Sequence, residues 1–229
     1  MSVNWSQYSL AELKQNATHT FREGGGSRPD VLLIEIEGEQ AVLKDQNACD
    51  PLFGKLIGPL LNWRETKALE KLSNVDCIPA LLHKPDQRSF IMSYHQSEPV
   101  TRLQTINVDW PSFFIKLNDA ITQIHNAGVA HNDLRNPTNT LVTPDGDPIL
   151  VDLVAAFFQG QSWNVSNQWV FRKFCQVDRS AITKMKQRVA PELVSENDVV
   201  AEDIAGRPGM AIKGLGQLVR KVSRKLFTK

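Results

Sequence analysis

The stretch HNDLRNPTN, residues 131–139, sets an Asp, an Arg two positions on and an Asn six positions after the Asp in one short run. Asp133 could orient a hydroxyl and accept its proton, and Arg135 could neutralise charge on a phosphoryl group in transfer. Beyond them, TLV and PILVDLV flank the turn PDGD and read as a small hairpin. Asn139 opens one strand and Asp152 closes the other, so the turn brings both side chains to the same end. An amide oxygen and a carboxylate are hard ligands that suit Mg²⁺, an ion usually held by one or two carboxylates together with substrate phosphates.

The first half of the chain supplies matching parts. Lys44 ends the otherwise apolar run AVLK, which sets an ammonium at a rigid, partly buried position that needs an anion. Glu65 is that anion's candidate, because Leu61, Glu65, Leu69 and Leu72 share one face of the predicted helix. Glu70 falls about 140° away at 100° per residue and reads as solvated. Taken singly, Asp133 and Asn139 are ordinary turn residues. The ordered set, with Lys44 and Glu65, is what points to phosphoryl chemistry. His125 and His131 read as packing and hydrogen-bonding residues, and Trp63 and Trp110 as anchors.

The elements that must position these groups follow from the pattern. Ser9 and Glu12 have capping-box spacing for a short opening helix. VLLIEIE (31–37), a turn at Gly38-Glu39 and QAVLK (40–44) read as an antiparallel hairpin. A helix is expected over about 59–73, then strands in IPALLHK and SFIMSY. DWPSFFIKLNDAITQIHNAG carries an Asp cap, an early Pro, apolar Phe114, Leu117, Ile121 and Ile124 at helical spacing, and a Gly stop. A further helix is expected from Asp178 to Arg188, packed beneath the 131–139 loop and followed by an extended APEL.

AVLK, WRETKAL, IMSYHQ, GVAHNDLRNPTNTLV and ILVDL, in this order, resemble the protein-kinase-like superfamily over residues 20–195 or so. The set looks most like small bacterial atypical members, the RIO-like and lipopolysaccharide-kinase-like families. The resemblance implies an α+β, bilobal protein-kinase-like fold: a small antiparallel-sheet N-lobe with one key helix (about 1–94), a hinge (95–100) and a reduced, mainly helical C-lobe (101–212). It implies ATP and Mg²⁺ as cofactors. Lys44 would contact the α/β-phosphates with Glu65 as its pair, Asp133 would be the catalytic-loop aspartate, and Asn139 and Asp152 would hold the metal. Ser93, Tyr94, His95 and Gln96 would form the connector that reads adenine, and Gly24, Gly25 and Gly26 the phosphate-covering loop.

The departures are informative. Asp133 to Asn139 is six residues where protein kinases typically have five, so the loop must bulge, with Pro137 as the place. Asn132 stands where many kinases carry an Arg that pairs with a phosphorylated activation loop, so that switch is not expected. The metal-binding triplet reads Asp152-Leu153-Val154, and a β-branched residue at its end predicts a segment that does not flip. The glycines do not follow G-x-G-x-x-G. APE at 190–192 is taken as coincidence, because only residues 193–229 follow it.

Composition bounds the rest. The chain has 229 residues, 41% hydrophobic and 22% charged, enough for a sizeable core. No long apolar run or leader-like N-terminus is present, which predicts neither a membrane span nor secretion. Three scattered cysteines, Cys49, Cys77 and Cys175, fit a reducing cytoplasm and not a zinc site. Residues 213–229 carry six Lys or Arg and no acid, so the remainder sums to about −5. No nucleic-acid partner is expected. The basic tail has an apolar stripe through Leu215, Leu218, Val219, Val222 and Leu226, and reads either as a helix docked on its own domain or as a peripheral contact with an anionic membrane. The expected activity is phosphoryl transfer from ATP to a hydroxyl, of a protein in the RIO-like reading or of a sugar or envelope glycolipid in the other. A nucleotide-binding pseudokinase scaffold is the alternative of another class.

Overall fold

The structure, a computed structural model, describes residues 3–195. The chain separates into two compact units, one comprising the residues up to Ser73 with Pro79–His95, the other Asn74–Ile78 with the chain from Gln96 onward.

In the first unit, α1 (Leu10–Gln15) starts at a complete capping box: the Glu12 N–H donates to Ser9 Oγ, and the Ser9 N–H donates to the Glu12 carboxylate. Five antiparallel strands follow: β1 (Ala17–Arg22), β2 (Asp30–Ile36), β3 (Glu39–Asp45), β4 (Leu81–Asp86) and β5 (Ser89–Ser93), in the order β1-β2-β3-β5-β4. The β2–β3 hairpin pairs without a bulge from Asp30↔Asp45 to Ile36↔Glu39. Its central residues are Glu37 and Gly38, both with φ > 0, the geometry of a two-residue turn that matches strand twist. The turn thus sits one residue earlier than the sequence suggests. Alternation along β3 sends Ala41 and Leu43 into a core with Leu13, Ile34 and Ile91, and leaves Val42 and Lys44 for the opposite face.

Between β3 and β4 the chain forms α2 (Pro51–Leu56) and α3 (Gly58–Lys71). The sequence reading has only the second. Strand β1 is also additional, and it is exposed at every position. A polar edge strand without alternation carries little periodic signal.

The second unit is built on α4 (Trp110–Asn126), where Asp109 caps the Ser112 N–H and Gly128, at φ 71°, provides the stop. Phe114, Leu117, Ile121 and Ile124 are all buried, as their spacing requires. Two small sheets follow, β6 (Glu98–Pro99) with β8 (Thr140–Val142) and β9 (Pro148–Leu150), and β7 (Val129–Ala130) with β10 (Phe157–Phe158). Cys77 joins this unit by accepting the Leu150 N–H, 2.8 Å.

The last described helix, α5 (Val165–Val189), corrects the expectation of a start at Asp178. Asn164 caps it through the Asn167 N–H, and Phe171, Phe174, Ala181, Ile182 and Met185 bury one face. APEL is not extended: Pro191–Leu193 forms a 3-10 turn. Among the described residues no helix is long and apolar enough to cross a membrane. The amphipathic stretch 213–229, and with it the membrane expectation, lies outside the described residues.

All three thiols are poor nucleophiles here. Burial pushes Cys49 up to about 11 and Cys77 and Cys175 up to about 12. Because the thiolate is the reacting species, iodoacetamide at mildly alkaline pH should label the native protein far more slowly than the denatured chain. Equal rates in the two states would contradict the burial described.

Candidate active site

In the first unit, β3 is flanked on both sides, and Lys44 lies opposite Val31 of β2 and Phe90 of β5. Lys44 is 4% exposed, and its ammonium meets Glu65, 1% exposed, at 2.8 Å to Oε1 and 2.7 Å to Oε2. Glu65 is presented by the buried face of α3, together with Thr66, Ala68 and Leu69. Glu70, on the outer face, pairs instead with the exposed Lys84 at 2.8 Å. Withdrawing two charges from water costs several kcal/mol, and an apolar pair of the same volume is often at least as stable. A buried ion pair is therefore better understood as a device for holding an ammonium in place than as a source of stability.

Gly24, Gly25 and Gly26 lie in the turn from β1 to β2. The Gly24 N–H donates to the Asp30 carboxylate at 2.6 Å, Gly25 exchanges two backbone hydrogen bonds with Arg28, and the Gly26 carbonyl accepts the Asp50 N–H. Gly26 has φ 59°, which favours glycine. At the end of β5, Ser93 Oγ accepts the Ala80 N–H and lies 3.0 Å from His95 Nε2, while Tyr94 stacks on Phe21. Burial lowers the His95 pKa. Gln96 is exposed and belongs to the second unit.

In the second unit, Asp133 and Asn139 are in direct contact. Asn139 Nδ2 donates to Asp133 Oδ2 at 2.9 Å and to the Asp133 carbonyl at 3.1 Å. Pro137 opens a 3-10 turn, Pro137–Asn139. Asn136 caps that turn through the Thr138 N–H and also donates to Asn139 Oδ1, 3.2 Å. Asp152 is positioned by its neighbour: the Val151 N–H donates to the Asn139 carbonyl, and the Val151 carbonyl lies 3.0 Å from His131 Nε2. Strand β9 ends at Leu150, so Asp152 does not close a strand as the sequence suggests. It has left-handed backbone, φ 65° and ψ 62°, followed by a 3-10 turn at Leu153–Ala155. Non-glycine residues seldom adopt this conformation, and those that do cluster at functional sites.

Arg135 points elsewhere. Its Nη2 lies 3.5 Å from Ser180 Oγ of α5.

The group that sequence reasoning missed is Asp178. Its fully buried carboxylate accepts the His131 N–H at 2.8 Å and the Asn132 N–H at 2.7 Å, and lies 3.0 Å from His125 Nε2. Asn132, at φ 63°, further donates its side-chain amide to the Ala155 carbonyl. One carboxylate thus holds the backbone that leads into Asp133. A signal existed: Asp178 lies on the stripe of Phe171, Phe174, Ala181 and Met185, where a solvated acid does not belong.

Among the described residues, no cluster of three or more His, Cys, Asp or Glu could hold a metal. The pair expected to hold Mg²⁺, the Asp152 carboxylate and the Asn139 amide oxygen, is of the hard-oxygen donor type that suits this ion, which keeps several waters and takes further oxygens from phosphates.

No protein-family model matches the chain, and no curated protein sequence matches it. Solved structures do. The Rio2 kinase from Chaetomium thermophilum superposes with a TM-score of 0.60 at 16% identity, over 83% of this chain and 64% of that one. The ADP/Mg²⁺-phosphoaspartate complex of Rio2 kinase from the same organism gives 0.60 at 17% identity, over 83% and 62%. The chain spans just under two thirds of the length of these structures. At such identity the likeness speaks for architecture, and the architecture of this chain is the protein-kinase-like fold.

Proposed function

We propose that the protein is an ATP- and Mg²⁺-dependent phosphotransferase that moves the γ-phosphate to a hydroxyl, as a RIO-like serine/threonine protein kinase does. The observation that carries this reading is the buried Lys44–Glu65 pair on the central strand of a protein-kinase-like fold. A nucleotide offers the phosphate oxygens that a fixed ammonium can engage. Asn139 and Asp152 would hold the metal, which when bound neutralises phosphate charge. Asp133 orients the acceptor hydroxyl and takes its proton. The new bond joins that oxygen to the γ-phosphorus, the bond from the γ-phosphorus to the β–γ bridging oxygen breaks, and ADP departs with the bridging oxygen.

Two measurements test the reading. ATP with Mg²⁺ at about 100 times its Kd should stabilise the protein by ~2.7 kcal/mol, a melting shift of about 5 to 10 °C for a chain of this size. The shift should vanish in Lys44→Met. Incubation with γ-labelled ATP should then place label on an acceptor. Acid-stable, hydroxylamine-resistant label in protein supports a serine or threonine. Hydroxylamine-labile label would indicate an acyl phosphate, of the kind named in the Rio2 complex, and label in a lipid fraction a glycolipid. A melting curve unmoved by ATP sinks the proposal.

A further inference from the structure

Helices α2 and α3 carry large apolar groups on the side away from the core. Their buried face includes Gly54, Gly58, Asn62, Glu65 and Thr66. Leu52, Leu56, Leu60 and Trp63 are instead each more than half exposed. Ile57 joins the two helices with helical backbone, its N–H donating to the Phe53 carbonyl and its carbonyl accepting the Leu61 N–H. Helical phase therefore carries across the joint. At 100° per residue the four side chains fall within an arc of about 80°, with Glu65 on the opposite side. Single exposed leucines are ordinary, but a row of large apolar groups along one helical face marks a contact surface.

The charge around the row is of one sign. Between Pro51 and Leu69 the cations are Lys55, Arg64 and Lys67, and the single acid, Glu65, is buried against Lys44. Lys55 is exposed beside the row, and Lys67 Nζ lies 4.7 Å over the Trp63 ring. Asp50 and Glu70 stand at the two ends, and Glu70 is taken up by Lys84 at 2.8 Å.

We infer that this face rests the protein on an anionic lipid bilayer. Leucines and a tryptophan among lysines are what a helix lying in the headgroup region presents. The apolar groups enter the acyl boundary, the indole sits at the interface, and lysine stems reach back to lipid phosphates. Side chains this exposed form a ridge, which a fluid bilayer takes in without a matching groove. The occupants that the chain itself offers have the wrong sign. Residues 213–229 carry six Lys or Arg and no acid, and a second copy would set these lysines against their own kind. That basic stretch supplies a second attraction to the same headgroups, and lasting peripheral attachment takes two such signals. Glu65 lies on the opposite face, so attachment leaves its pairing with Lys44 in place. The inference holds whether or not the protein transfers phosphate.

The test mixes the full chain with vesicles of phosphatidylcholine alone, or of equal parts phosphatidylcholine and phosphatidylglycerol, and sediments them. The protein should pellet with the anionic vesicles only, and less as salt is raised. The double variant Leu56→Asn, Leu60→Asn should weaken that binding roughly tenfold or more, and Lys55→Gln should weaken it less. Both variants should keep the wild-type melting temperature, because the altered side chains are exposed. Vesicles with brominated acyl chains should quench tryptophan fluorescence in wild type and clearly less in Trp63→Phe, which locates the contact. Failure to bind anionic vesicles overturns the inference. Binding that the double variant retains in full, or quenching undiminished in Trp63→Phe, overturns it too and moves the attachment to other residues. A dimer that the double variant loses, without lipid binding in wild type, would assign the face to a second copy instead.

Discussion

Asp133→Asn should lower phosphoryl transfer by roughly 10²- to 10⁴-fold, the usual contribution of a positioned general base, while the ATP-induced melting shift stays that of wild type. The separation follows from geometry. Asp133 Oδ2 accepts from Asn139 Nδ2 at 2.9 Å, and an amide oxygen in its place can accept the same hydrogen bond, so the loop is not disturbed. Under the proposed function, what the substitution removes is the capacity to take a proton from the acceptor hydroxyl. Lys44 and Glu65, on β3 and α3, are unaltered. Single-turnover transfer measured beside thermal shift distinguishes the outcomes. Full activity in the variant would deny Asp133 its assigned role, and loss of both readouts would mean that it serves structure.

Asp178→Ala should be the most destabilising single substitution in the second unit. It leaves the buried His131 N–H and the Asn132 N–H without their acceptor, and His125 without its carboxylate. Each unsatisfied buried group costs about 1–3 kcal/mol, so a loss of about 3–5 kcal/mol is expected. For a chain of this length that corresponds to a melting temperature lower by about 10 °C. Asp178→Asn should fall between, since one amide oxygen can still accept while the amide nitrogen opposes a backbone N–H. Thermal melts of the three proteins check the order. Wild-type melting of Asp178→Ala would show that the 131–133 backbone is held by something else.

How much of this was legible beforehand differs by element, for physical reasons. The β2–β3 hairpin was readable because alternation and a glycine turn agree, and α4 because cap, apolar period and stop agree. Glu65 could be placed because its neighbours at helical spacing are leucines. Strand β1, ATHTFR, pairs with β2 without burying a side chain, so no hydrophobic pattern marks it. Helix α5 began too late in the sequence reading because its first turns expose Val165 and Trp169 and bury little. That error hid Asp178, which looked like the start of a helix and proved to be its buried centre. The left-handed Asp152 had no signal at all. Its backbone is fixed by Val151, whose bonds reach Asn139 and His131, residues distant in sequence.

The segment between Asp152 and α5 has little slack. Phe157 and Phe158 pair with Ala130 and Val129, Gln159 donates to the Gly128 carbonyl, Gly160 donates to the Asn167 side chain, and the Phe157 ring lies 4.7 Å from that of Phe174. Nothing in this stretch resembles a hanging loop awaiting a covalent latch. Under the proposed function, a segment tied down at so many points leaves no ordering step for phosphorylation to supply, so transfer activity would not require modification of residues 153–164.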